Sequence, residues 1–247
     1  MRVGLLAYGL AGPLAGISRY TLELAAALAR LGEALELVLL NAGEVGTRAE
    51  ELHLGRAQLR GCRLLPGLVT LGNMEVRRAA RRERLDIVHD PTGVSPFLFG
   101  AGGAKTVVTI HDVFAWSCPG NSTLLDTLIY RHWLPRVAKR VDRVVTVSQA
   151  SKADIIRYLG VPARNIRVVY EGVNAAYRPL PVAEIAAARA RYDLPDSYIL
   201  YVGSVERRKN LERLLRAFAL LRGSGERRSL VIVGVRKANA AGMMGTL

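Results

Sequence analysis

Short apolar runs rich in valine, isoleucine and leucine alternate along this chain with segments whose apolar residues recur every three or four positions. That alternation restricts the fold more than any other feature of the sequence. Strands read as continuous apolar runs when both of their faces are buried, and helices between them supply the cover. The runs fall at Arg2–Tyr8, Glu36–Leu40, Gln58–Leu64, Asp86–His89, Thr106–Ile110, Arg143–Val147 and Ile166–Val169. Between them, Leu24, Leu28 and Leu31 mark a first helix ended by Gly32. Leu124–Arg140 and Gln149–Leu159 read as further helices. In the latter, Ser151 and Asp154 stand at capping-box spacing and Gly160 follows as the terminating glycine. The expectation is an α/β fold with a parallel sheet covered on both sides.

The rhythm breaks at Asn174–Asp196, where Pro179, Pro181 and Pro195 surround an alanine-rich helix, Ala183–Tyr192. A new strand–helix–strand follows: Tyr198–Gly203, Asn210–Leu221 and Leu230–Gly234. The residues from Val235 to Leu247 have no period and read as loop or disorder. The organisation expected is a domain over 1–173, a connection over 174–196 and an incomplete domain over 197–247. One strand–helix–strand unit cannot bury both faces of its own two-stranded sheet.

Composition excludes several classes. Half of the 247 residues are apolar, enough for a sizeable core. No uninterrupted apolar run reaches the length of a membrane span. Arg2 and the apolar stretch behind it have the outline of a signal peptide, but Gly4, Gly9, Gly12, Pro13 and Gly16 interrupt it. Strand, glycine loop and helix is the better reading. Cys62 and Cys118 form no C-x-x-C pair, which fits a reducing compartment and suggests neither a disulfide framework nor a zinc site. The net charge is +14, and 30 of the 35 cations are arginine. No nucleic-acid motif accompanies that charge, so no nucleic-acid partner is expected. A basic surface favours phosphates and acidic lipid headgroups instead.

Four strand-end or loop segments carry the candidate chemistry, because open α/β sheets bind ligands at the carboxyl ends of their strands. Gly9-Leu-Ala-Gly12-Pro-Leu-Ala-Gly16 follows the first strand, yet it is neither G-x-G-x-x-G nor a P-loop. Thr109-Ile-His111-Asp112 ends a strand. There His111 is able to donate a hydrogen bond or carry a proton, while Asp112 is equally suited to cap the next element. Ser148 ends another strand, where a helix cap competes with a ligand contact. Glu171-Gly-Val-Asn174 precedes the connection and has the composition of a turn. A fifth segment, Glu206-Arg207-Arg208-Lys209, puts cations at the start of a helix after the Gly203 turn. Cations are disfavoured there by the helix dipole, so a bound phosphate is the reading that rewards them. Arg77, Arg78, Arg81 and Arg82 spread over a basic helical face, which is either solvated or laid on anionic lipid.

Gly16-Ile-Ser-Arg-Tyr-Thr-Leu-Glu23, Thr109-Ile-His111-Asp112, Thr146-Val-Ser148 with Ser151, Tyr170-Glu-Gly-Val-Asn174 and Val202-Gly203 with Arg208-Lys209-Asn210-Leu211 occur in this order. Together they resemble the GT-B glycosyltransferases of family 4, above all bacterial mannosyltransferase-type members that build surface polysaccharide. The resemblance implies two Rossmann-like domains, the first holding the acceptor and the second a nucleotide-sugar donor. It implies hexosyl transfer to a glycan or lipid-linked acceptor, with retention of configuration and without a metal or other cofactor. It makes His111 and Asp112 the catalytic candidates, and Gly16, Gly203, Arg208 and Lys209 the donor and phosphate contacts. Gly12, Ser148, Glu171 and Asn174 become candidate substrate contacts. It also implies a cytoplasmic location, with peripheral membrane contact through the arginines at 77, 78, 81 and 82.

The departures from the family pattern lie at the C-terminal end. The glutamate pair E-x7-E, which in the family holds the donor, has no match in 235–247. Ser204 stands where some members carry an arginine. The expectation is a complete acceptor domain, a truncated donor domain and impaired transfer. The alternative is a non-catalytic binding module, or a subunit completed by a partner chain.

Overall fold

The computed structural model describes residues 1–8, 10, 16–41, 43, 46–60, 67, 70–94, 96–113, 116, 124–205 and 209–234, the side chains of 124–129 excepted. The chain divides into two compact units, Met1–Glu171 and Gly172–Leu247.

The first unit is built on seven strands: β1 (Arg2–Leu6), β2 (Glu36–Asn41), β3 (Gly55–Gln58), β4 (Ile87–Asp90), β5 (Lys105–Thr109), β6 (Arg143–Thr146) and β7 (Ile166–Val168). Their order across the sheet is β3-β2-β1-β4-β5-β6-β7. Every neighbouring pair is parallel. The helices with described bounds include α1 (Gly16–Ala29), the single turn α2 (Thr47–Glu50), α3 (Gly72–Arg82), α4 (Leu124–Ala138) and α5 (Gln149–Asp154), the last continued by a wider π turn over Ile155–Leu159.

Side-chain alternation divides the core between the two sheet faces. Val38 and Leu40 of β2 pack with Val76 and Ala80 of α3 in one cluster. Leu37 and Leu39 pack with Leu22 and Ala25 of α1 in the other. The strand runs were legible because both faces demand apolar residues. Gly32 and Gly160 take left-handed conformations, φ +61° and +65°, where the helices before them end.

Two expectations of the sequence reading are corrected. The third strand is not Gln58–Leu64 but Gly55–Gln58, paired from Val38↔Gly55 to Asn41↔Gln58. It is an edge strand on which Ala57 alone is buried, so no apolar run marks it. Leu59 extends the pairing by donating its N–H to the Asn41 carbonyl at 2.8 Å, and 61–64 lie outside the described residues. The capping-box reading of Ser151 and Asp154 gives way to the other one, in which Ser148 caps α5. Ser148 has extended backbone angles, and its Oγ accepts from the Ser151 N–H at 3.0 Å. Ser151 is thereby the third helical residue, and Asp154 ends the regular helix.

In the second unit, α6 (Val182–Arg191) lies within the proline-rich connection. After it come β8 (Tyr198–Val202), α7 (Leu211–Gly223) and β9 (Ser229–Val233), the two strands pairing in parallel. This is the expected strand–helix–strand unit. The stretch 235–247 lies outside the described residues. Leu200, Val202, Leu220, Leu221 and Val233 are exposed, so the two-stranded sheet and its helix leave apolar surface open.

Gly4, in the centre of β1, has no room for a side chain. A Cβ built there would stand 2.5 Å from Leu85 Cδ1 and 3.1 Å from Leu40 Cδ1, both in buried residues. Gly4→Ala should therefore destabilise the first unit by ~1–3 kcal/mol through overpacking. The urea midpoint of its unfolding transition reads the change, and an unchanged midpoint would contradict this packing.

Candidate functional site

The strand order reverses direction at β1. The chain runs outward from β1 to β2 and β3, then crosses to β4 on the other side of β1. Such a switch point leaves a crevice at the carboxyl ends of the two strands, because their connections leave in opposite directions. An open cleft lies at this end of the sheet. It is lined by Ile17 from α1, Thr92 and Gly93 after β4, and His111 and Asp112 after β5, with Tyr130 from α4.

Backbone geometry behind β4 shapes one wall. Asp90 is fully buried, and its Oδ1 accepts from both the N–H and the hydroxyl of Thr92, at 2.8 and 2.6 Å. This Asx-type turn holds Pro91 with its carbonyl directed at the imidazole of His111. His111 Nε2 stands 3.0 Å from that carbonyl oxygen. A carbonyl only accepts, so Nε2 carries the proton and donates. In the neutral ring the lone pair is then on Nδ1, which lies 3.6 Å from Glu171 Oε1. The main chain of His111 is held as well: its carbonyl accepts from the Ser151 hydroxyl at 2.8 Å.

Below His111 lies a polar chain. The Thr109 hydroxyl is 2.9 Å from His89 Nε2 and 3.4 Å from the Tyr20 hydroxyl. The Tyr20 ring meets the His111 ring nearly perpendicularly, 4.7 Å between centroids. Burial pushes the Tyr20 phenol above its ordinary pKa, the Thr109 hydrogen bond acts against this, and the nearby Glu171 carboxylate adds to it. The phenol is therefore protonated at neutral pH. Burial also pushes His89 down to about 4, so that ring is neutral.

Gly16, His111, Asp112 and Glu171 all belong to the first unit, and Gly16 opens α1 at the same carboxyl edge. Ser148 is used by its cap and by a 3.0 Å bond to Ser151 Oγ. Asn174 belongs to the second unit, where its Oδ1 accepts from the Ala176 N–H at 2.9 Å in a turn. Gly203 donates its N–H to the Val233 carbonyl at 2.9 Å and ends β8. Lys209 is exposed just before Asn210, whose left-handed φ of +54° turns the chain into α7. Gly12 and Arg208 lie outside the described residues.

The arginines of α3 find acceptors within the protein. Arg77 donates to the Phe99 carbonyl at 3.0 Å and Arg81 to the Gly102 carbonyl at 3.4 Å. Arg78 pairs with Glu75 at 2.7 Å, and Arg82 with Glu83 at 3.0 Å. No helix among the described residues is long and apolar enough to cross a membrane.

Sequence reasoning gave no site role to His89, Pro91, Thr92 or Tyr20. The dipeptide Asp90-Pro91 with Thr92-Gly93 at the end of β4 is a turn signal of the kind that marks such a wall. Tyr20 and His89 carry no local signal of their role.

His89 sets a pH dependence. Between about pH 6.5 and 4 the unfolded chain binds a proton on this residue that the folded chain does not. Stability is therefore complete above this window and falls as the pH is lowered through it, by at most ~3 kcal/mol. Urea denaturation at pH 7 and 4.5 measures the loss. His89→Gln should shrink the difference between the two pH values, and an equal difference in both proteins would contradict the assignment.

A family model for Glycosyltransferase Family 4 matches residues 14–177. O-antigen chain mannosyltransferase B of Escherichia coli is 30% identical over 222 residues, covering 85% of this chain and 57% of that protein. A serotype-specific mannosyltransferase WbdA of E. coli is 25% identical over 166 residues, 61% of this chain and 20% of its own length. This chain thus spans little more than half of the first relative and a fifth of the second. Among solved structures, WaaG, a glycosyltransferase involved in lipopolysaccharide biosynthesis, matches with a TM-score of 0.65 at 16% identity, over 98% of this chain and 67% of that one. Anabaena Alr3699/HepE, in complex with UDP and glucose, matches with a TM-score of 0.61 at 15% identity, over 96% and 70%. These structural likenesses establish the GT-B type of fold. With the family match extending from the glycine loop of α1 through the strand-end histidine to the turn at Asn174, the chain belongs to glycosyltransferase family 4.

Proposed function

We propose that this chain takes part in transferring a sugar, with mannose the leading candidate, from a nucleotide-sugar donor to a glycan or lipid-linked acceptor. The observation that carries the reading is the His111 cleft at the switch point of a family 4 chain. The mannosyl preference is supported by the names of the two E. coli relatives. In this reading the first unit holds the acceptor and the second the donor.

His111 contacts the transferred sugar, and Asp112 lies beside it in the cleft wall. Glu171 faces the same imidazole and is a further candidate for a substrate hydroxyl. By the family resemblance, Gly16 is a candidate donor-phosphate contact and Gly12 a candidate substrate contact. Gly203 provides the close backbone turn, while Arg208 and Lys209 neutralise the diphosphate as the glycosidic bond breaks. Two cations in that role make a metal-independent reaction the natural one. Transfer proceeds with retention of configuration. The proposed location is the cytoplasm. Membrane contact through Arg77, Arg78, Arg81 and Arg82 would compete with the acceptors that all four already have within the protein.

Turnover by these 247 residues alone should be weak, because the described part of the second unit is a two-stranded sheet with open apolar faces. The same surface favours a second reading, a subunit completed by a partner chain. Isothermal titration with GDP-mannose and UDP-glucose tests the donor site. Lys209→Ala should weaken nucleotide affinity about tenfold, as expected for loss of one charge-assisted contact. Absence of binding to any nucleoside diphosphate sugar would sink the transferase reading, and rapid turnover would sink the claim of weak activity. A strictly monomeric mass in light scattering, with no co-purifying chain, would count against the partner reading.

A further inference from the structure

The geometry points to Tyr20 as a positioning residue for His111, held in place through the hydroxyl of Thr109 and setting which imidazole nitrogen faces the cleft. The consequence for sugar transfer rests on the function proposed above, but the positioning itself does not.

Three contacts determine the orientation of the His111 ring. Nε2–H donates to the Pro91 carbonyl, the ring packs nearly perpendicular to Tyr20, and Nδ1 faces Glu171. Rotating the imidazole by half a turn about Cβ–Cγ exchanges Nδ1 with a ring carbon and moves Nε2 away from Pro91. The Pro91 bond alone opposes this rotation from one edge of the ring. The Tyr20 ring, packed nearly perpendicular at 4.7 Å between centroids, crowds the volume through which the imidazole would swing.

Tyr20 is itself fixed. It rises from α1, and its hydroxyl reaches the Thr109 hydroxyl on β5, which in turn meets His89 Nε2 on β4. Thr109 is completely buried. Val108 belongs to the core on the opposite face, so alternation turns Thr109 toward the α1 side of the sheet. One helix and two strands are thereby joined under the imidazole by a chain of hydroxyl and ring nitrogen. The raised phenol pKa keeps Tyr20 in the form able to donate to Thr109. With Nε2 committed to Pro91, the nitrogen turned toward Glu171 is Nδ1. Loss of Tyr20 loosens this orientation without removing the histidine.

Long-range 1H–15N correlation spectra of the imidazoles test the inference. The chain has four histidines, and the His111 signals are assigned from the spectrum of His111→Gln. In the wild type at neutral pH, His111 should give one ring pattern protonated at Nε2. Tyr20→Phe keeps the perpendicular ring but loses the Thr109 bond, and should broaden that pattern without losing it. Tyr20→Ala should lose it, giving a mixture of both tautomers or a broadened signal. Unchanged His53 and His132 signals and a cooperative thermal transition show that the fold is intact. If Tyr20→Ala does not fold, Tyr20→Leu fills the volume without the aromatic partner and carries the same expectation. An unchanged His111 pattern in the folded alanine or leucine variant overturns the inference. Failure of the chain to bind any nucleotide sugar, with His111 still ordered by Tyr20, overturns the proposed function and leaves the positioning standing.

Discussion

Parallel pairing is the constraint on which this molecule depends. All seven strands of the first unit run the same way, so their carboxyl ends lie along a single edge. Each connection must cross a face of the sheet to begin the next strand, and the crossing segments cover both faces. The price of that cover is apolar side chains on both sides of each central strand, as Leu37 and Leu39 against Val38 and Leu40 illustrate. The reversal of strand order at β1 then leaves one place on the carboxyl edge where helices do not close over the sheet. The cleft follows from that reversal, and the residues after β5 supply its His111 wall.

The polar groups under the cleft have the opposite character. Asp90, Thr109 and Thr146 are fully buried. Each is tied into hydrogen bonds that shape the loops at the carboxyl edge: Asp90 to Thr92, Thr109 to His89, and Thr146 to the Ile110 carbonyl at 2.7 Å. Buried polar groups of this kind are costly unless satisfied, and when satisfied they restrict geometry more than apolar packing does. A site that must present one nitrogen of one histidine gains from such restriction.

The second unit makes the same rules visible from the other side. Its strand–helix–strand motif has correct parallel register from Tyr198↔Ser229 to Val202↔Val233. Its described core is sparse, with Leu211 buried while Val202 and Leu220 are more than two-thirds exposed. Among the described residues the motif has the local pattern of a doubly wound sheet, and its two strands pair with each other.

Much of the fold was legible because it repeats a short-range rule. Six of the seven strands of the first unit stand where apolar runs lie, since burial on both faces demands such runs. β3 was misplaced because an edge strand needs backbone partners more than apolar side chains. The strand-end position of His111 could also be read, for strand ends are local features. The chain by itself therefore determined the alternation, the edge that carries the candidate site and, through the order of its motifs, the family. Only tertiary structure decided what surrounds His111. Tyr20, His89, Pro91, Thr109 and Glu171 come from separate elements and meet only when parallel register and helix packing bring them to one edge. No local pattern encodes that meeting, because side chains on different strands are set opposite each other by hydrogen-bond register, which depends on the sheet as a whole.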